Sequence, residues 1–143
     1  MEPFDLPLLA LTHRPDLNVL IGRWGFQPDP AELPAQYERL EAAALKHRAQ
    51  YWLQDIRRRS LSDPQISRWL FDSFFPRLAQ LLGGRLRVAY LANPTLHAHI
   101  LSDTLYVPPS AYDGQPHAVA FFGDEGEALA WLLAAQARPE PQP

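Results

Sequence analysis

The sequence predicts an α/β fold: a single-domain sandwich in which about four helices cover a mostly parallel, five-stranded mixed sheet with an antiparallel first strand. Apolar runs of strand length alternate with segments of helical periodicity. Turn residues separate the first two runs, and the order of elements is β-β-α-β-α-β-(α)-β-α. Because helices connect the later strands, we expect right-handed crossovers between parallel strands.

The first two predicted strands form a hairpin. They run from Leu8 to His13 and from Asn18 to Trp24, and Pro15-Asp16 between them is typical of a turn. The second strand is apolar on both faces in its Val19-Leu20-Ile21 part, which favours a central position in the sheet.

A first amphipathic helix is predicted from Pro34 to about Gln50, after a turn that Asp29 opens. The aromatic and apolar run from Tyr51 to Ile56 predicts the third strand.

The second helix is predicted to open around Pro64, which suits the first turn of a helix. Pro76 is expected to kink this helix, and Gly83-Gly84 to end it.

The remaining predicted elements are two strands and two helices. The fourth strand runs from Leu86 to Ala92, a short helix falls within 95–105, and the fifth strand runs from His117 to Phe122. Asp124 and Glu127 form a capping box for the last helix. We expect residues 1–7 to be an N-terminal extension, 8–137 to be the domain, and 138–143 to be a disordered, proline-rich tail.

Composition narrows the classes of function. The 143 residues are 47% hydrophobic with a formal net charge of −3, which argues against a disordered chain and against a nucleic-acid partner. Cysteine is absent, which excludes disulfides, thiolate metal sites and a cysteine nucleophile. We expect a cytoplasmic protein without a membrane span, because neither a signal peptide nor a long apolar run is visible. Arginine far outnumbers lysine, as in GC-rich bacterial genomes.

Two segments carry a family resemblance. The segment from Phe121 to Leu132 joins an aromatic strand, an acidic cap and an Ala-x-x-Trp-Leu helix. The segment from Asn18 to Trp24 has the pattern of the second strand of the same family. With the element order, these segments resemble the SpoIIAA-like branch of the STAS superfamily, over about residues 8 to 137.

The resemblance implies a non-enzymatic regulatory or protein-interaction module. In relatives, a serine at the start of the second helix is phosphorylated and controls partner binding. Here that position falls at Pro64, after Asp63, so we expect no such switch; whether Ser60 or Ser62 is phosphorylated stays open. The alternative is a domain that binds or senses a small apolar or anionic ligand, by analogy with the related CRAL-TRIO-like domains.

The candidate binding site is the loop after the third strand. Asp55 ends that strand, and the loop carries Arg57, Arg58, Arg59, Ser60 and Ser62. Ligands bind at this edge of open α/β sheets, and the arginines favour an anion, although a solvated loop with a helix cap is the simpler interpretation. Trp24, at the end of the second strand, either packs in the core or lines the same pocket.

The second helix has an excess of apolar surface, because Phe71, Phe74 and Phe75 widen its apolar side beyond one stripe. This excess either covers the sheet or forms a contact surface for a protein partner or a second copy, through Trp69, Phe71 and Phe75.

No catalytic or cofactor motif is present in the sequence, so we expect no enzyme and no cofactor. His97, His99 and Asp103 form the one cluster with metal-ligand chemistry, but Asn93-Pro94 favours a helix, which separates the two imidazoles. We therefore expect no metal site. Asp55 and Asp63 are the two carboxylates that could converge at the sheet edge, and a helix cap or an ion pair with arginine is their expected use.

Overall fold

The structure, a computed structural model, describes residues 7–60, 64–103 and 106–137. Its sheet has five strands in the order β1-β2-β3-β4-β5. Their bounds are β1 Leu9–Arg14, β2 Val19–Trp24, β3 Tyr51–Asp55, β4 Leu86–Leu91 and β5 His117–Phe122. β1 and β2 pair antiparallel, and all pairs from β2 to β5 are parallel. The predicted fold class is confirmed.

The helices fall where the sequence predicts them. They are α1 Leu33–His47, α2 Pro64–Trp69, α3 Phe75–Leu81, α4 Pro94–Ser102 and α5 Glu125–Ala137. A π-helical turn over Leu70–Phe74 joins α2 to α3, so these three segments together form the predicted second helix. Within the described ranges, no helix is long and apolar enough to cross a membrane.

The two faces of the sheet are covered unequally. The larger core packs Tyr37 of α1, Phe74 of the π turn and Leu96 of α4 against strand residues such as Trp52. The smaller core is covered by α5, through Ala128 and Leu132. Parallel strands that follow one another in one direction, joined by connections of one handedness, place their helices on the same face. α5 follows the last strand and is therefore free to cover the other face.

Two helix details differ from the prediction. α1 ends at His47 rather than near Gln50, because Arg48 adopts a left-handed conformation with φ of 51°. This conformation ends a helix, and the Arg48 N–H bonds back to carbonyls of the last turn. At Pro76, where a kink is predicted, the structure has a π turn over the preceding residues Leu70–Phe74. Pro76 has no N–H to donate to the carbonyl of Asp72, one turn earlier, which removes a bond of regular α-helix.

The predicted N-terminal extension and C-terminal tail lie mostly outside the residues that the structure describes. The proline-rich tail 138–143 and residues 1–6 of the predicted N-terminal extension fall beyond the described ranges.

Candidate functional site

A cavity of about 270 Å³ opens at the carboxyl ends of β3, β4 and β5, beneath the π turn and α4. Its walls are mainly apolar and include Ile56, Leu70, Phe71, Leu96, Ile100 and Phe121. Four of the five tyrosines of the chain also line it: Tyr37, Tyr90, Tyr106 and Tyr112. We call this space the tyrosine cavity. It lies where open α/β sheets commonly bind ligands.

Two tyrosine hydroxyls meet in its wall. The hydroxyl oxygens of Tyr37 and Tyr90 lie 2.9 Å apart and share a hydrogen bond, although both side chains are almost completely buried. Burial raises the pKa of Tyr37, and it raises the pKa of Tyr90 well above the ordinary value. Burial also raises the pKa of Tyr112 to about 12. These phenols therefore stay neutral near pH 7 and can donate hydrogen bonds.

Arg59 supplies a buried positive charge to the cavity. The residue is only 8% exposed, and its Cζ lies 4.9 Å from the centroid of the Trp24 ring. Burial raises the pKa of Tyr37, and the nearby Arg59 guanidinium partly offsets that rise. Among the described residues, no carboxylate lies within ion-pair distance of the guanidinium, and Nε has no hydrogen-bond partner. A buried cation without an acidic partner is unusual, because isolated charges are costly to bury.

A turn of backbone directs Arg59 toward the cavity. Its N–H donates to the carbonyl of Ile56 at 3.0 Å, which folds the chain back after β3. From α4's cap, the Asn93 side chain donates to the carbonyl of Arg57 at 2.8 Å, and its Oδ1 accepts from the N–H of Leu96 at 2.8 Å. Asn93 thus fixes the loop and the helix on both sides of the cavity relative to each other.

Trp24 is held by a buried amide. The indole Nε1–H donates to Oε1 of Gln54 at 3.0 Å, and Gln54 is completely buried on β3. The amide sits against Gly22 on β2, where a Cβ would lie 2.9 Å from Gln54 Nε2. The absence of a side chain at Gly22 makes room for this amide. The pair fixes the ring against which Arg59 packs.

Trp24 itself is only 1% exposed. Core packing of its side chain is confirmed, and Trp24 also borders a second cavity, which Asp55, Arg57 and Arg58 line. Its contribution to the tyrosine cavity is indirect, through Arg59.

The aromatic excess of the second helix packs inward. Phe75 is completely buried, with its ring centroid 6.2 Å from that of Trp52, so the prediction that Phe75 forms a surface contact is wrong. Trp69 packs edge-on against Tyr37 at 6.2 Å, and Phe71 lines the tyrosine cavity. The wide π turn gives three of its residues to the cavity wall, and such turns are frequent at functional sites. The extra aromatic residues thus cover the sheet and shape the cavity.

The predicted arginine loop is divided between the two faces of the sheet. Asp55 alternates with Gln54 on β3 and therefore points to the α5 face. There Arg23 donates to its Oδ2 at 2.8 Å, and Arg57 donates to both carboxylate oxygens, at 3.0 and 2.8 Å. Glu125 joins the cluster, 3.0 Å from Arg23. The expected ion pair of Asp55 with arginine is confirmed.

The charges of this cluster are largely satisfied by one another. Burial alone would raise the pKa of Asp55, but the hydrogen bonds from Arg57 and Arg23 outweigh it and hold that pKa below its ordinary value. An open cavity of about 410 Å³ adjoins the cluster and is also lined by Arg58. Arg58 is exposed. This second cavity offers charged walls and little apolar surface, unlike the tyrosine cavity.

The serines of the predicted site contribute little to either cavity. Ser60 is exposed, and its backbone N–H donates to Oε1 of Gln27 at 2.8 Å. Ser62 and Asp63 lie outside the described residues.

The two histidines of the possible metal cluster are both on α4, as predicted. In the part of the chain that the structure describes, no group of three histidine, aspartate or glutamate residues could hold a metal ion.

Comparison with known proteins does not assign this chain to a family. No family model, no curated protein and no solved structure matches this chain.

Sequence reasoning found Arg59 but missed the tyrosines. Tyr37 reads as one more apolar position on α1, and Tyr90 as one more residue of a buried strand. Tyr112 falls in a segment without periodicity. The available signal was chemical: a hydroxyl at a fully buried position needs a hydrogen-bond partner, and two such positions point to each other.

Proposed function

We propose that this protein is a binding or sensing domain for a small, largely apolar ligand, which occupies the tyrosine cavity. The observation that carries the proposal is the combination of apolar walls with a few convergent, buried polar groups: Arg59, Tyr37 and Tyr90. Binding sites for small molecules have this composition.

The regulatory module that the STAS resemblance implies stays a prediction. Two of the three aromatic side chains expected at its contact surface are otherwise engaged, Phe75 in the core and Phe71 in the cavity wall. The cavity therefore supports ligand binding better than the second helix supports a partner surface. A ligand could still control such a partner, and no chemical step is assigned to the site.

The test is thermal unfolding of the whole chain with small probes of three kinds. The probes are 1-octanol, sodium octanoate and octylamine, which share one apolar tail. A ligand at ten times its Kd adds about 1.4 kcal/mol of stability, and for a chain of this size we expect Tm to rise by about 4 °C. We expect at least one probe to produce such a rise.

Two tryptophan variants on α4 locate the binding. Ile100→Trp fills the cavity, since Ile100 lines it, whereas Leu101→Trp adds the same ring on the exposed side of the helix, where Leu101 is 45% exposed. We expect the first variant to lose the response and the second to keep it. If no probe raises Tm, or if Ile100→Trp responds like the wild type, the proposed function is wrong.

A further inference from the structure

We infer that the ligand of the tyrosine cavity is a small amphipathic monocarboxylate, whose carboxylate pairs with Arg59 and whose apolar part fills the cavity. This inference rests on the proposed function and names the class of ligand for the same site.

The first argument is the charge of Arg59. Its guanidinium is buried in a mainly apolar region and, among the described residues, has no carboxylate partner. The neighbouring arginine of the same loop, Arg57, pairs instead with Asp55 on the other face. A buried ion is stabilised when an opposite charge joins it with good geometry. A ligand carboxylate would supply this charge, and the planar guanidinium matches it with parallel hydrogen bonds.

The second argument is that the buried polar side chains of the wall can all donate. They are Arg59 and the phenols of Tyr37, Tyr90 and Tyr112. Arginine has no acceptor, and each phenol carries one hydrogen. The hydrogen bond between Tyr37 and Tyr90 uses one of their two hydroxyl hydrogens, which leaves the other for a further acceptor. A carboxylate presents acceptors only, whereas an ammonium group would meet the guanidinium with a like charge.

The third argument concerns net charge and size. One buried cation balances one negative charge, so a phosphate monoester with two would leave a charge uncompensated in an apolar space. The exposed rim carries two carboxylates, Asp72 and Asp103, and one guanidinium, Arg68, so it supplies no net positive charge to offset a dianion. The cavity volume of about 270 Å³ lies just below the roughly 300–1,000 Å³ of pockets for drug-sized ligands, so it suits a small molecule. Octanoate, a chain of this order of size, is therefore the probe of choice.

The experiment is isothermal titration of the whole chain with four probes that differ in the head group: octanoate, 1-octanol, octylamine and octyl phosphate. We expect octanoate to bind at least tenfold more tightly than each of the other three. In Arg59→Met, which keeps an unbranched apolar stem and removes the guanidinium with its charge, we expect the Kd of octanoate to rise at least tenfold. The Kd of 1-octanol should change less than threefold in that variant.

Arg58→Met is the matched control, because Arg58 is the adjacent arginine and is exposed. We expect it to bind octanoate like the wild type.

Equal binding of octanoate and 1-octanol by the wild type would overturn the carboxylate inference and leave the proposed function standing. A preference for octanoate that survives Arg59→Met, or tight binding of octylamine, would overturn it as well. Should Arg59→Met not fold, the order of the four probes on the wild type still decides the question. If none of the four binds, the inference and the proposed function both fail.

Discussion

Three consecutive arginines have three different environments in this structure. Arg57 pairs with Asp55 on one face of the sheet, Arg58 is exposed, and Arg59 is buried over Trp24 on the other face. The sequence predicts a basic loop, but identical side chains carry no information about which of them turns inward. The turn that the Ile56 carbonyl closes with the Arg59 N–H decides it. The arginine-rich sequence therefore predicts the basic loop, whereas the backbone conformation determines that Arg59 is the arginine that turns into the cavity.

Asp55→Asn tests the ion-pair cluster at the residue scale. Both guanidinium partners are roughly half exposed, so we expect a loss of about 1–2 kcal/mol of unfolding free energy, less than the 3–5 kcal/mol typical of a fully buried pair. Urea unfolding at pH 7 measures this loss. Asp16→Asn is the matched control, because Asp16 pairs with Arg14 on an exposed turn.

The same variant has a pH signature. The pKa of Asp55 is lowered in the folded state, so its contribution is present above the ordinary pKa of 3.8 and is lost as pH falls through the lower, folded value. The difference in stability between the wild type and Asp55→Asn should therefore shrink below about pH 4. A difference that stays constant down to pH 2.5 would contradict the assigned ion pair.

At the scale of elements, the strands and helices could largely be predicted. Each strand coincides with an apolar run, and the helices begin at capping or proline signals, as at Pro34 in α1, Asn93 before α4 and Asp124 before α5. What could not be predicted is the π turn over Leu70–Phe74. Periodicity assigns a helical face from 3.6 residues per turn, and one wider turn rotates the following side chains. Periodicity alone therefore leaves open whether the aromatic excess of the second helix covers the sheet or forms a surface, and in the structure it packs inward.

Gly22→Ala tests the close packing of β2 on β3. The added Cβ would lie 2.9 and 3.0 Å from the amide nitrogen and oxygen of Gln54, and 3.2 Å from Leu9 Cδ1. Gln54 is buried and bonded to Trp24, so the amide cannot move aside without losing that bond. We expect Gly22→Ala to lower the unfolding free energy by about 1–3 kcal/mol.

A double-mutant cycle separates this clash from a general cost in the strand. In a Gln54→Ala background the amide is absent, and the penalty of Gly22→Ala should fall by at least half. The measurement is chemical unfolding of the four proteins of the cycle. Equal penalties in the two backgrounds would show that the amide is not what Gly22 accommodates.

At the scale of the whole molecule, the fold class follows from the sequence, but the cavity does not. The alternation of strands and helices suffices to predict a parallel sheet with an antiparallel first strand, which the structure confirms. The cavity joins Tyr37, Arg59, Tyr90 and Tyr112, which are distant along the chain. These four side chains lie close together only because three crossover segments pack on one face of the sheet. No local sequence pattern predicts this proximity.

The buried phenols predict how stability depends on alkaline pH. The pKa values of Tyr37 and Tyr90 are raised by burial, and that of Tyr112 to about 12, from an ordinary value of 10.0. Between the ordinary and the raised pKa, the folded chain holds protons that the unfolded chain has lost. Stability is therefore full below about pH 10 and falls as pH rises further, by up to about 1.4 kcal/mol per pH unit for each phenol.

Unfolding free energies between pH 8 and pH 11 measure this slope. In Tyr37→Phe/Tyr90→Phe, the slope should decrease, because two of the buried phenols are gone. The same slope in the variant and the wild type would contradict the role assigned to the two hydroxyls.

The most direct test of ligand binding in the tyrosine cavity is to observe which side chains the ligand touches. We would record intermolecular nuclear Overhauser effects between octanoate and the isotope-labelled chain. The account predicts contacts from the octanoate tail to the methyl groups of Leu96 and Ile100 and to the ring of Tyr90, all of which line the cavity. Contacts confined to exposed side chains such as Leu101 and Leu133, or none at saturating octanoate, would contradict it.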